Sequence, residues 1–247
     1  MKLNQDNYYS VEANQQFFSV SQYKDFMKCE AMALAKIRGE YRPAMTKAML
    51  TGSFVDTYFE GTLDSFMKEH PEVFTRKKEL RSEYRKANEI IQRVTEDKLF
   101  AQFMSGEKQR IMTFEMFGVP WKMKMDSYLP GICITDLKVV VNFRSLPLWR
   151  YDLQGAVYQE GVRLNTGEQL PFYLAVATKE RVTDLDIFQI TQPVLDIALR
   201  EVEMNIQHFM RVKEGLEDPS CCGKCDYCKG IKGAKIRDYS ELLEGIR

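Results

Sequence analysis

Between Ser19 and Ile37 the apolar residues Tyr23, Phe26, Met27, Ala31, Ala33 and Leu34 recur at helical spacing. Ser19 or Ser21 supplies an N-cap, and the run 38–43, RGEYRP, ends the segment. One continuous helix is expected there. TKAMLTGSFVDTYFEG predicts a second helix that gathers Met49, Phe54, Tyr58 and Phe59 and stops at Gly61. HPEVFTRK reads as a loop. ELRSEYRKANEIIQRVTEDKLFAQFM reads as one long amphipathic helix with a solvated face.

The period then changes from helical to two. KQRIMTFEMF, PWKMKMDSY and ICITDLKVV alternate or form short apolar runs, separated by Gly118-Val119-Pro120 and Pro130-Gly131. They predict three antiparallel strands joined by hairpins. LWRYDLQGAVYQEGVRL follows as a helix, then LPFYLAVAT and LDIFQIT as strands, then a helix over 193–212. The expected fold is α/β, a mixed β-sheet flanked by helices. A helical N-terminal part (1–105), a core (106–215) and a cysteine-bearing C-terminal tail (216–247) are expected to form one domain.

Composition narrows the function classes. The 35 basic and 35 acidic residues cancel, so any nucleic-acid surface must be a local patch. No apolar run approaches the ~18 residues of a membrane span. MKLNQDNYYSVEANQQFF lacks the apolar core of a secretory signal, so a cytoplasmic location is expected. Lys24, Arg144 and Arg150 fall near the candidate chemistry, whereas Arg76-Lys77-Lys78 reads as a solvated loop. Trp149 could stack on a base but reads as a packing residue.

Candidate chemistry begins in ICITDLKVV. On a strand Asp136 and Lys138 share a face and Leu137 takes the other. If the chain reverses at Gly131, Asp126 and Asp136 stand equally far from the turn. Pairing then sets their Cβ atoms about 4.5–5.5 Å apart. Two carboxylates that close need a cation, either Lys138 or a hard divalent ion. Structural ion pairs, Asp136 with Lys138 or Asp126 with Lys124, are the plain alternative.

Four of the six cysteines crowd into SCCGKCDYCKG. Cys222-x-x-Cys225-x-x-Cys228 is able to wrap one corner of a 4Fe-4S cluster, and the tight double spacing leans that way; tetrahedral Zn²⁺ is the rival once a fourth thiolate is found. Cys221 could substitute for Cys222. Cys133 reads as a small buried hydrophobe.

GSFVDTYFEG, KMKMDSYLPGICITDLK and YDLQGAVYQEGV together resemble the PD-(D/E)XK nuclease superfamily. They are most similar to its phage and prophage exonuclease branch, related to RecE and to the nuclease domains of RecB and AddB. The resemblance implies a restriction-endonuclease-like core. It makes Asp126 the acid of the second motif and Asp136 and Lys138 the acid and lysine of the third. Gln154 and Tyr158 become the Q-x-x-x-Y pair that orients the lysine, a water or the DNA backbone. Mg²⁺ or Mn²⁺ would be held by Asp126, Asp136 and the Leu137 carbonyl. Relatives carry G-x-x-x-H on an early helix. Here Gly52 is followed by Asp56, a possible hard ligand, with Glu60 one turn later. The resemblance also offers Cys29 as the fourth thiolate. His70 and His208 receive no catalytic role.

The implied function is exonucleolytic hydrolysis of double-stranded DNA ends in phage or prophage recombination, with a single-strand annealing protein as partner and a ring-forming homo-oligomer as the assembly. A non-catalytic DNA-binding or scaffold protein and a sequence-specific endonuclease remain as alternatives.

Overall fold

A computed structural model describes residues 1–236 and 238–242. Short helix α1 (Val11–Gln16) precedes α2 (Val20–Lys28) and α3 (Glu30–Ile37). The single helix expected over this stretch is thus two. Cys29 sits between them with extended backbone (φ −170°, ψ 109°), and it leaves the helical path to point at the C-terminal tail. Ser19 caps α2 by accepting the Gln22 N–H.

Helices α4 (Lys47–Glu60), α5 (Leu63–Glu69), α6 (Ser82–Glu96) and α7 (Lys98–Phe103) follow. The long helix expected over 79–104 is cut because Asp97 turns out of the helix and caps α7 through the Phe100 N–H. Helix α5 lies just ahead of the expected loop. It was not separable from it, since a seven-residue helix gives too few turns for a period.

Strands β1 (Arg110–Met116) and β2 (Val119–Met125) form a two-stranded antiparallel sheet of their own. The chain bends at Asp126 and enters a second, four-stranded sheet. There β3 (Ser127–Leu129) pairs antiparallel with β4 (Cys133–Val140) across the Pro130-Gly131 turn, where Gly131 has φ 71°. The three expected strands are therefore shared between two sheets. A 3₁₀ segment (Phe143–Trp149) and α8 (Tyr151–Thr166) carry the chain to β5 (Phe172–Thr178), which runs parallel to β4. Strand β6 (Leu185–Ile190) closes the order β3-β4-β5-β6, antiparallel to β5, so the sheet is mixed. Helix α9 (Gln192–Glu214) and the short α10 (Asp226–Ile231) complete the elements that concern the sites.

Each sheet face has its own core. One face presents Ile134, Val140, Phe172, Leu174 and Val176 to α8, α9, α2 and the β1–β2 hairpin. The other presents Leu137, Ala175 and Ala177 to Phe54, Val55, Ala87 and Ile90 of α4 and α6. Alternation along β4 sends Leu137 to one core while Asp136 and Lys138 face the other. Helix α8 lies close because Gly155 and Gly161 leave room: a Cβ at Gly161 would stand 2.5 Å from Phe114 and 2.9 Å from the Met123 sulfur.

No helix among the described residues is long and apolar enough to cross a membrane.

Candidate active site

The β3–β4 register runs Ser127 with Thr135 and Tyr128 with Ile134. One step further sets Asp126 opposite Asp136. Strand β3 has ended by then, so the edge of β4 is open at Leu137. The Asp126 carboxylate takes the place of a paired strand: its Oδ2 accepts the Leu137 N–H at 2.9 Å. Its Oδ1 accepts from Gln109 Nε2 at 3.1 Å.

Asp136 is only 2 % exposed. Its Oδ1 accepts from Gln154 Nε2 at 2.7 Å, and its Oδ2 forms an ion pair with Lys138 but has no well-aligned hydrogen-bond donor. Gln154 and Tyr158 lie one turn apart on α8. The Tyr158 hydroxyl donates to the Lys124 carbonyl at 3.1 Å, holding β2 just ahead of Asp126. Asp56 comes from α4 on the opposite side of the sheet and faces Asp126, Lys138 and Asp136. Glu60 acts on it more weakly and lines the same cavity, of about 550 Å³.

Burial sets the electrostatics. Loss of water pushes the Asp56 carboxyl up to about 8, with Asp126 adding repulsion. Burial likewise raises Asp136 to about 7, against the pull of Lys138. Burial works against the Lys138 charge too, but Asp136 and then Asp126 outweigh it and hold the ammonium above its usual range. Lys138 is thus a fixed cation at neutral pH. Burial, then the nearby Lys138, lowers Lys24 to about 8.

A second cluster lies at the junction of α2, α3 and the tail. The sulfurs of Cys29, Cys222, Cys225 and Cys228 all fall within 4.8 Å of one another. Cys29 and Cys228 are 3.4 Å apart, Cys222 and Cys228 4.0 Å. Backbone N–H groups of Lys224 and Cys225 point at the Cys222 sulfur at 3.4 and 3.3 Å and lower its thiol to about 6. Among the described residues this is the group whose ligand atoms converge; Asp126 and Asp136 are held by hydrogen-bond donors, and with Asp56 they do not close to the same distance. Cys221 is exposed and outside the quartet, and Cys133 is buried beside Thr135.

The model of a PDDEXK-like domain of unknown function, DUF3799, matches residues 19–231. The chain belongs to this PDDEXK-like family. It is 45% identical to a solved structure from Eubacterium rectale described as a "Putative exonuclease", with 98% of each chain covered and a TM-score of 0.95. A second solved structure, SSO0001, is 14% identical over 95% of this chain and 99% of its own, with a TM-score of 0.44 that carries no argument. No curated protein matches.

Within this PDDEXK-like fold, Asp126, Asp136, Lys138 and Gln154 meet at one point, with Asp56 facing them from α4. Two sequence expectations change. Trp149 is 53 % exposed and is not a packing residue. Arg150 is committed to Asp152 and Glu201, through bonds of 2.9 and 2.6 Å, and is not free for phosphate.

Gln109 was missed. Nothing in KQRIMTF marks it, since a strand-start glutamine is ordinary. In the fold it carries φ 50°, orients Asp126, and buries an Oε1 that has no donor. The tail clasp was missed as well. His208 bridges Glu217 (2.6 Å) and Glu30 (2.7 Å), while Glu30 also accepts the Ser220 N–H at 2.8 Å, docking the tail beside Cys29.

Proposed function

We propose that this chain is a divalent-metal-dependent deoxyribonuclease that hydrolyses phosphodiester bonds at the ends of duplex DNA. The observation that carries the reading is the single constellation of Asp126, Asp136, Lys138 and Gln154 at an opened sheet edge. Family membership and the likeness to the E. rectale protein support it. The setting in phage recombination, with an annealing partner, is supported by the resemblance of the motifs.

The residues fit a hard divalent cation. Asp56, Asp126 and Asp136 offer carboxylate oxygens, Leu137 offers a carbonyl, and the buried Gln109 Oε1, which has no donor, is an unsatisfied acceptor of the kind such an ion fills. When bound there, the ion supplies Lewis acidity and an acidified water. The chain's own residues do the rest. Lys138, held protonated between two carboxylates, offsets charge on the phosphate oxygens as it builds. Gln154 fixes the Asp136 carboxylate, and Gln109 fixes Asp126, so that both are held at the wall of the cavity.

For the cysteine quartet we favour one tetrahedral zinc ion. Bonds of about 2.3 Å to sulfur give a tetrahedron with edges of about 3.8 Å. Two of the six separations, 3.4 and 4.0 Å, bracket that value and all four sulfurs lie within 4.8 Å of one another, whereas an iron–sulfur cube places each thiolate on a different iron and spreads them wider. The role is structural, tying Cys29 to the tail.

Incubation with linear duplex DNA and Mg²⁺ or Mn²⁺ tests the reading. Shortening from the ends supports it. Nicking of closed circular DNA indicates an endonuclease, and metal-independent binding without hydrolysis indicates a scaffold.

A further inference from the structure

Strand β2 and the residue just past its end carry polar residues two positions apart: Lys122, Lys124, Asp126. The last belongs to the acid centre; the first two hold the N-terminal arm across the strand. Lys122 is 1 % exposed, and its ammonium donates to the Tyr8 carbonyl at 2.5 Å and to Asn14 Oδ1 at 2.8 Å. Gln5 donates to the carbonyl of Gln109, the residue that orients Asp126, at 2.8 Å. Burying a lysine to anchor eight residues of surface arm is costly unless the arm's position matters.

What the arm presents is an aromatic side chain. Tyr8 is buried, and it meets Tyr9 edge-on with centroids 4.9 Å apart. Lys124 lies 4.8 Å from the Tyr9 centroid. Tyr9 nevertheless remains 69 % exposed, at the wall of the cavity that holds the three aspartates. A second exposed aromatic comes from a separate segment. The chain leaving β4 runs through Leu148 to Trp149, whose carbonyl accepts from Lys24 at 2.9 Å. Lys24 also lines the cavity. Tyr9 is thus held beside a lysine of the cleft, and the Trp149 backbone is tied to a second one, with the Trp149 side chain exposed.

Alternating cations and open aromatic faces are what a single nucleic-acid strand needs. The lysines meet phosphates, and the rings stack on bases with little regard for sequence. Paired bases inside a duplex are already stacked and have no use for such rings. We propose that Tyr9 and Trp149 are stacking platforms for unpaired bases of DNA, so that the acid centre receives a single-stranded or frayed end. This rests on the nuclease reading and adds the form of substrate.

The test is anisotropy titration of a labelled oligonucleotide, single-stranded or as a blunt duplex, with the full chain in Ca²⁺ to permit binding without turnover. Tyr9→Ala and Trp149→Ala should each weaken single-strand binding about 5- to 100-fold, the loss of one stacked base. Tyr9→Phe should retain it, abasic sites near the end should mimic the alanine variants, and blunt-duplex affinity should hold. Both side chains are exposed, so folding is not at stake. Unchanged single-strand affinity in both alanine variants, with DNA hydrolysis intact, overturns the platforms and leaves the nuclease standing. Equal loss on duplex and single strand overturns the preference. A wild-type chain that binds no DNA overturns both.

Discussion

Replacing Cys29 by serine removes one corner of the quartet and cuts the link between the start of the chain and its tail. Cys29 and Cys228 lie 199 positions apart in sequence, with sulfurs 3.4 Å apart. An ion shared by the two closes a loop of that length. Treated as a permanent cross-link, such a closure restricts the unfolded chain by about 5 kcal/mol. The Glu30 clasp to His208 and to the Ser220 N–H survives the substitution and keeps the tail docked. The loss should therefore fall below that ceiling, at about 2–5 kcal/mol, the range seen when native cross-links are removed. At 247 residues this lowers the melting temperature by about 5–20 °C. The assay is thermal denaturation of wild type and variant, each with and without chelator, together with metal content by mass spectrometry. Wild type should carry one zinc per chain and lose stability on chelation. The variant should start lower and respond less. A variant that keeps its zinc and melts with wild type refutes the reasoning, because the tail would then bind metal without Cys29. Four irons in place of one zinc would refute the choice of ion.

Other outcomes follow from single contacts. Gly161→Ala sets a Cβ 2.5 Å from Phe114, so α8 must shift; the unfolding free energy from urea titration should fall by about 1–3 kcal/mol in spite of alanine's better helix propensity, and a gain in stability contradicts the packing. Gln109→Leu removes the donor to Asp126 Oδ1; Mn²⁺ affinity by calorimetry should drop about 10- to 100-fold, and an unchanged affinity denies Gln109 its positioning role. The acids predict a pH dependence. Burial raises Asp136 to about 7 and Asp56 to about 8, above the ~4 of an unfolded chain, so the fold favours their neutral forms. That stabilisation is complete below about pH 4 and is lost as pH rises through about 7 and 8. In chelator the melting temperature should fall from about pH 6 to about pH 8.5, with Mn²⁺ restoring most at the upper end; a flat profile in chelator contradicts the burial argument.

How much of this was legible in the sequence depends on range. The two-residue period of ICITDLKVV placed Asp136 and Lys138 on one face, and the Pro130-Gly131 turn fixed the register that sets Asp126 opposite Asp136. The Gln154–Tyr158 spacing put both on one face of α8. Local patterns carry that information. Breaks did not show: Cys29 and Asp97 interrupt good helical periods because a tertiary partner or a cap outweighs propensity. The division of the strands between two sheets was hidden too, since β2 runs into β3 through the one bent residue, Asp126. Gln109, the Glu30–His208 clasp and the Lys122 anchor join residues 17, 178 and 114 positions apart, and no local pattern announces them.

The acid centre is tested most directly by DNA hydrolysis in Mg²⁺ or Mn²⁺ with wild type and Lys138→Met, both shown folded by circular dichroism. Wild type should degrade linear duplex from its ends and leave closed circular DNA intact. The variant should be slower by at least about 100-fold, the scale of losing one preorganised charge at the reacting phosphate. Equal rates in the two chains, or no hydrolysis by wild type with either metal, would contradict the account.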